Sequence, residues 1–575
     1  MKNIAAQQWW QRAVFYQIYP RSFADGNGDG IGDFTGMIGK LDYLQQLGVD
    51  AIWLSPHFPS PYMDCGYDVS NYRDVAPEYG SMPDFIQFLD GLHQRGMKLV
   101  LDLVLNHTSD QHPWFIESRS SLDNPKRDWY IWKEGEPGQP PNNWFSTFGG
   151  SAWEYDERTS AYYYHYFFKE QPDLNWKNPK VKEAMFSAAR YWLDLGVDGF
   201  RLDAIGTIFE DENYPSIPDD MSQEELYRLA RGSANPDADE QVLAYWMGMF
   251  RHQSDRPEVH VLMKELRNLI DEYEDRVLIG ETDDIAFYGN GDDELHLNFN
   301  FPLMRTLRLT ADHVRNNQRA RLAAMPKGAW PCNTLGNHDS ARVYSMYGDG
   351  KNDALMARLH LMLLLTLKGT PFLYNGEEIG MSDLLIEDPV RFRDPLSLLY
   401  AELERKVMQS DQKTSVLVGA KMGRDRNRTP MQWSDTANAG FCPSRVEPWL
   451  PVNPNYRSGV NVTAQDGEPD SLLNFYRRMI TFRKEYSALQ TGDYQEIDGK
   501  NEEVLVYRRW DETDDLTVAL NLSDTSQRVN LPYEAGRNLF SNRSFADGLL
   551  PKVIELLPYQ GVIIHKKPSQ AGIVP

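Results

Sequence analysis

Eight short apolar runs recur along the chain, most of them followed by an amphipathic helical pattern. That alternation limits the fold more than any other feature. The runs cover residues 13–19, 50–56, 98–107, 199–205, 277–282, 295–301, 332–339 and 370–377. Helical periodicity appears between them over 34–47, 84–95, 181–195, 258–273 and 354–367. Repeated strand–helix alternation predicts a parallel sheet covered by helices, and eight units predict its closure into a (β/α)8 TIM barrel. An open doubly wound sheet is the alternative, but no glycine-rich phosphate turn supports it. Two intervals are too long for simple connections, 108–176 after the third run and 379–455 after the eighth. The first, rich in Trp, Tyr, Pro and Gly, reads as an inserted subdomain. Both would rise from the same end of the barrel and wall a deep pocket suited to short substrates entering end-on. From about residue 492 the pattern changes to alternating runs at 504–509, 516–522, 528–531 and 552–557, which predict a C-terminal all-β domain. The expected organisation is a barrel over 1–107 and 177–490, an inserted subdomain over 108–176 and a β-sandwich over 491–575, with a mobile tail from 566.

In such a barrel, polar residues at the C-terminal ends of strands are the first catalytic candidates. Four runs end in a way that core packing does not require. The third closes Asp102-Leu-Val-Leu-Asn106-His107, the fourth Arg201-Leu202-Asp203, the fifth Gly280-Glu281 and the seventh Asn337-His338-Asp339. Strand alternation puts Arg201 and Asp203 on one side. By itself this pair reads equally well as a structural ion pair. Four such ends in one space would gather the carboxylates Asp203, Glu281 and Asp339 with Asp102 beside them, an arginine and two histidines, with no cysteine or histidine cluster for a metal. Glycoside chemistry needs that set: one ionised carboxylate and one protonated carboxylic acid flanking the bond. Asp203 beside a guanidinium is expected to stay ionised and attack the anomeric carbon. Glu281, near Asp283 and Asp284 and facing other carboxylates, is expected to hold a proton and act as the acid. Asp339 would stabilise the cationic transition state.

Composition excludes other classes. With 59 basic and 83 acidic residues the net charge is −24, which argues against nucleic acid and anionic membrane surfaces as partners. No apolar stretch reaches the roughly 18 residues of a membrane span, and no basic-then-apolar leader pattern opens the chain. The three cysteines, Cys65, Cys332 and Cys442, are scattered, which predicts reduced thiols and a cytoplasmic location.

These motifs together resemble the α-amylase superfamily of glycoside hydrolases, and within it the oligo-1,6-glucosidase and α-glucosidase group. Residues 102–107 (DLVLNH), 199–203 (GFRLD), 280–281 (GE) and 337–339 (NHD) match the family's four core motifs in order. Residues 171–175 (QPDLN) match the further motif typical of this group, and 428–433 (RTPMQW) match a late barrel segment. The resemblance implies a retaining double displacement and cytosolic action on small oligosaccharides. It implies Asp203 as nucleophile, Glu281 as acid/base and Asp339 as transition-state stabiliser. It further implies that Asp68, His107, Arg201, His338 and Arg428 hold the terminal glucose, with Asp68 and Arg428 clamping the ring and enforcing exo action.

The loop Asp25-Gly-Asn27-Gly-Asp29-Gly-Ile31-Gly-Asp33 offers side-chain oxygens at positions 1, 3, 5 and 9 of an EF-hand-like spacing, with the Ile31 carbonyl at 7. Position 12 is Gly36, so it is not an EF-hand. The resemblance implies a structural Ca2+ here, or Mg2+, remote from the chemistry. The bond cleaved turns on Ala204. In the family resembled, Val after the nucleophile goes with α-1,6 specificity and Thr or Ala with α-1,4, because a smaller side chain leaves room below the glycosidic oxygen. An α-1,4 preference, with maltose as a substrate and some transglucosylation, is therefore expected. An oligo-1,6-glucosidase, or a sucrose isomerase or trehalose synthase on the same fold, is the alternative. A catalytically dead relative, such as a transporter-subunit ectodomain, is disfavoured because all three carboxylates are present.

Overall fold

The computed structural model describes residues 8–232, 236–497, 501–533, 536–545 and 549–566. The tail expected to be mobile lies, beyond Lys566, outside the described residues. Eight parallel strands form the main sheet: Phe15–Ile18, Ala51–Leu54, Lys98–Val104, Gly199–Asp203, Val277–Gly280, Leu297–Asn298, Cys332–Thr334 and Thr370–Tyr374. Their spatial order is seventh, eighth, first, second, third, fourth, fifth, sixth. A single parallel bridge from Phe299 to Cys332 joins the two outer strands and closes the barrel.

Alternation along each strand sorts the core into two. Phe15, Trp53, Val100, Ile279, Phe299 and Phe372 meet inside the barrel. Tyr16, Ile52, Leu99, Leu101, Phe200, Leu202 and Leu278 point outward into the larger core under the helices. The fourth and fifth strands approach so closely at Gly199 (φ 154°) that a Cβ there would lie 2.1 Å from the Val277 carbonyl oxygen, which only glycine avoids.

Every strand is shorter than its apolar run at the C-terminal end. The third stops at Val104 and the fourth at Asp203. Asp102, Arg201 and Asp203 lie inside their strands, whereas Asn106, His107, Glu281, His338 and Asp339 stand just beyond strand ends. The sixth run yields only Leu297–Asn298, because Phe301–Met304 turns into a helix with Pro302 near its start. The periodicity at 34–47 is two helices, Phe34–Ile38 and Leu41–Leu47, parted at Gly39 and Lys40. Helix Leu472–Glu485 packs on both Leu41–Leu47 and Asp353–Thr366 and completes the outer ring.

Between the third and fourth strands lies a three-stranded antiparallel sheet, Trp132–Glu134, Ala161–Tyr164 and Trp153–Asp156. A helical pair, Gln223–Gly232 and Pro236–Phe250, follows the fourth strand and was not read from the sequence. Met249 and Phe250 pack against Trp144, Trp153 and Tyr164 of the inserted sheet. A second pair, Pro395–Val407 and Gln412–Met422, follows the eighth strand and meets the first where Tyr227 and Arg231 bind Glu404. Towards the C-terminus, a six-stranded sheet and the two-stranded ladder Gln527–Asn530/Val553–Leu556 share one core of Val506, Val529, Ile554, Leu556, Val562 and Ile564. No helix among the described residues is long and apolar enough to cross a membrane.

Candidate active site

Strand register builds the centre of the site. Asp102 pairs with Arg201 and Val104 with Asp203 across the third and fourth strands, so Asp102 and Arg201 share the inner face. Arg201 Nη1 donates to Asp102 Oδ1 and to Asp203 Oδ1, each at 2.7 Å. Its Nη2 lies 2.9 Å from Glu281 Oε1. Glu281 is brought there by the next register step, its N–H bonding to the Leu202 carbonyl at 3.0 Å. The N–H of Ala204 donates to Glu281 Oε2 at 2.8 Å. Ala204 adopts a left-handed conformation (φ 43°, ψ 43°) that turns this N–H out of the strand. One guanidinium thus touches three carboxylates, and the residue after Asp203 holds the outermost of them.

Arg201 does lower the Asp203 pKa, through its charge and its hydrogen bond, but it is outweighed. Burial comes first, the Glu281 charge second, and together they raise the Asp203 carboxyl well above the usual carboxylate range against Arg201. Burial likewise pushes Asp102 up to about 6. The Arg201 charge does not offset the burial of Asp102 and Asp203, so both carboxyls are held above the usual aspartate range.

A second group gathers at the end of the seventh strand. Asp339 accepts from Arg428 Nη2 at 2.5 Å, with His338 Nε2 at 3.1 Å and Arg424 Nη1 at 3.5 Å. Burial works to raise its pKa, but the guanidinium groups of Arg428 and Arg424 outweigh burial and hold the carboxyl well below its ordinary value. Burial keeps His338 neutral. The Gln17 side-chain amide lies 2.7 Å from His338 Nδ1 and Tyr67 Oη 2.5 Å from Nε2. If the amide donates, the proton sits on Nε2, and the Tyr67 hydroxyl is left to donate to Asp102 at 3.2 Å. Tyr67 therefore joins the two groups.

His107 is buried, its Nε2 lying 3.2 Å from the Tyr67 carbonyl and 2.9 Å from the Gln171 amide nitrogen; burial lowers its pKa to about 4. Asp68 is buried one residue beyond Tyr67. Its carboxylate accepts from Ser60 Oγ (2.8 Å) and from the N–H groups of Met63 (2.8 Å) and Asp64 (3.0 Å). Burial, opposed by those bonds, pushes it up to about 6. Its hydrogen bonds run to its own loop and not to Arg428. The carboxylate that an arginine of the 424–428 segment does reach from this loop is Asp64, 2.7 Å from Arg424 Nη2. Tyr67, Asp64 and Arg424 were not singled out from the sequence. The available signals were adjacency to Asp68 and the triplet spacing Arg424, Arg426, Arg428.

The loop 25–33 follows the first strand, and its backbone bonds to Phe441 and Trp449. Successive turns, Asp29 N–H to Asn27 Oδ1 and Ile31 N–H to Asp29 Oδ1, curl it into a compact coil. Asp25 accepts from the N–H groups of Gly28 and Gly30, and Asp33 from those of Gly26, Asn27 and Gly36. Among the described residues no group of three or more His, Cys, Asp or Glu side chains is placed to hold a metal ion. The donors the loop offers are all oxygens, one of them a main-chain carbonyl, the chemistry of a hard cation.

The α-amylase catalytic domain family matches residues 17–492. An oligo-1,6-glucosidase of Parageobacillus thermoglucosidasius is 41% identical over 577 residues, 96% of this chain and 98% of the relative. An α-glucosidase of Candida albicans is 39% identical over 518 residues, 84% and 87% of the two chains. A crystal structure of an isomaltulose synthase variant from Erwinia rhapontici NX5, in complex with its natural substrate sucrose, superposes with a TM-score of 0.86 at 35% identity, covering 98% of this chain and 100% of the other. The chain belongs to the α-amylase family of glycoside hydrolases, in the group of oligo-1,6-glucosidases and α-glucosidases.

Proposed function

We propose that this glycoside hydrolase is a retaining, exo-acting α-glucosidase that releases glucose from short α-glucosides, with α-1,4 linkages such as maltose preferred and transfer to sugar acceptors as a side reaction. The observation that carries this reading is the contact of one guanidinium, Arg201, with both Asp203 and Glu281. It keeps the two carboxyls close together, as covalent retention requires and as an inverting enzyme with an intervening water does not. Asp203 attacks the anomeric carbon while Glu281 protonates the departing glycosidic oxygen, giving a β-glucosyl ester. Glu281, now a carboxylate, takes a proton from water, which displaces Asp203 and releases α-glucose. Asp339, held anionic by Arg428 and Arg424, stabilises the positive charge that builds on the sugar ring. Asp68, His107, Arg201, His338 and Arg428 hold the terminal glucose. The loop Asp25, Asn27, Asp29, Ile31 and Asp33 holds Ca2+, or Mg2+ in its place, as a structural clamp. The cytoplasm is the proposed location, since all three cysteines are buried free thiols.

The α-1,4 preference rests on the small side chain of Ala204 below the scissile oxygen. The similar oligo-1,6-glucosidases favour a second reading, an α-1,6 preference, and an isomaltulose synthase is among the similar structures. Separate incubations with maltose, isomaltose, sucrose and trehalose decide among them. Glucose from maltose at a higher kcat/KM than from isomaltose is expected. The reverse ranking selects the 1,6 reading, and an isomeric disaccharide from sucrose without free glucose selects isomerisation. In Asp203→Asn, turnover should fall by at least about 10³-fold with the fold intact. Near-native turnover would remove Asp203 as nucleophile.

A further inference from the structure

An open cavity of about 780 Å³ lies away from the strand ends, where the inserted region meets the flank of helix Pro179–Asp194. Its lining includes three aromatic side chains: Tyr72, Trp114 and Trp129. Tyr72 and Trp114 are close to parallel, their planes 25° apart and centroids 6.3 Å apart, and Trp129 meets Trp114 edge-on at 4.9 Å. The indole N–H of Trp129 has no acceptor in the protein. Across the groove, the helix contributes Lys180, Glu183 and Ser187. Arg73 donates to Ser187 Oγ at 2.6 Å and closes one end. His112, beside Trp114, is kept neutral by burial.

We infer that this groove is a second saccharide-binding site, distinct from the catalytic pocket, which takes the same class of neutral α-glucoside. Flat aromatic faces fit the C–H face of a pyranose, and the rim offers donors and acceptors to hydroxyls around its edge. The rim mixes cationic and anionic groups, with Arg73 engaged by Ser187, so it concentrates no field for an anion. The groove is tied to the catalytic end through its floor: Tyr72 Oη donates to the His107 carbonyl at 2.7 Å. The choice of ligand rests on the α-glucosidase reading given above.

The test is titration of the whole protein with maltotriose while the catalytic pocket is saturated with deoxynojirimycin, followed by tryptophan fluorescence and by ligand-observed NMR. A saturable second isotherm is expected. It should be lost in Trp114→Ala and in Ala184→Trp, which fills the groove from the helix side without removing any aromatic packing. Circular dichroism and the unfolding midpoint serve as checks of fold. No saturable binding to the blocked enzyme, or binding that survives in a folded Ala184→Trp protein, overturns the inference. Failure of deoxynojirimycin to inhibit glucose release would instead count against the α-glucosidase reading, so the two failures are distinguishable.

Discussion

At the scale of single residues, Ala204 does two things. Its small side chain leaves space beside Asp203, and its N–H, aimed by a left-handed backbone, holds Glu281. A β-branched residue pays a backbone penalty of about 1–2 kcal/mol in that conformation. Ala204→Val should therefore lower kcat/KM on maltose by about tenfold or more, through strain and lost space together. The isomaltose-to-maltose ratio of kcat/KM should rise at the same time. A fall on both substrates with an unchanged ratio would leave only the strain effect and remove the steric account of linkage preference. Glu377 is a second residue with a measurable signature. It is fully buried after the eighth strand, its Oε1 finds no partner, and burial pushes its pKa up to about 8 from 4.5. The folded protein holds this proton where the unfolded chain has released it. Its contribution to stability is therefore complete below about pH 4.5 and is lost as pH rises towards 8, at about 1.4 kcal/mol per pH unit within that window. Urea unfolding at a series of pH values should show this slope flattened by about that amount in Glu377→Gln. An identical slope in both proteins would place the titration elsewhere.

At the scale of elements, strand register explains why the site forms where it does. Asp102, Arg201, Asp203 and Glu281 come from three neighbouring strands, and pairing of Asp102 with Arg201 and of Leu202 with Gly280 sets them side by side. That much was legible in the sequence, because polar residues closing apolar runs have no packing reason to be there. The helical pair Gln223–Gly232 and Pro236–Phe250 was not legible. Its apolar residues face another insertion, Trp144 and Trp153, and not the barrel strands next to it in sequence. The loop 25–33 is an element whose role is testable apart from catalysis. If it holds Ca2+, chelation should lower the thermal midpoint by several degrees and added Ca2+ should restore it, since a ligand bound only by the folded state stabilises that state. A midpoint indifferent to chelator and to Ca2+ or Mg2+ would remove the metal.

At the scale of the whole molecule, buried Arg509 joins the C-terminal sheet to the barrel, and buried Arg483 braces the barrel side of that contact. Arg483 donates to the carbonyls of Leu365, Leu489 and Gly369, and Arg509 to those of Thr366, Leu367 and Gly492. Several of these carbonyls end helix Asp353–Thr366, where cationic groups offset the negative end of the dipole. Arg509→Met leaves buried carbonyls unpaired and should destabilise the fold by about 2–4 kcal/mol in urea unfolding, with kcat at 25 °C unchanged. A loss below about 0.5 kcal/mol would show the contact to be dispensable.

The sequence by itself determined the eightfold alternation, the strand ends that carry carboxylates, and the family, because each of these is written in local periodicity and short motifs. Tertiary structure decided the electrostatics. Arg201 next to Asp203 in sequence predicts an ionised aspartate. Burial, with Glu281 brought alongside on the next strand, opposes that and raises the carboxyl above the usual range. Asp339 is held anionic by Arg428 and by Arg424, which the 424–428 segment delivers from beyond the eighth strand. A pKa sums over every charge and every lost water molecule in the folded site, and those neighbours come from residues far apart in the chain.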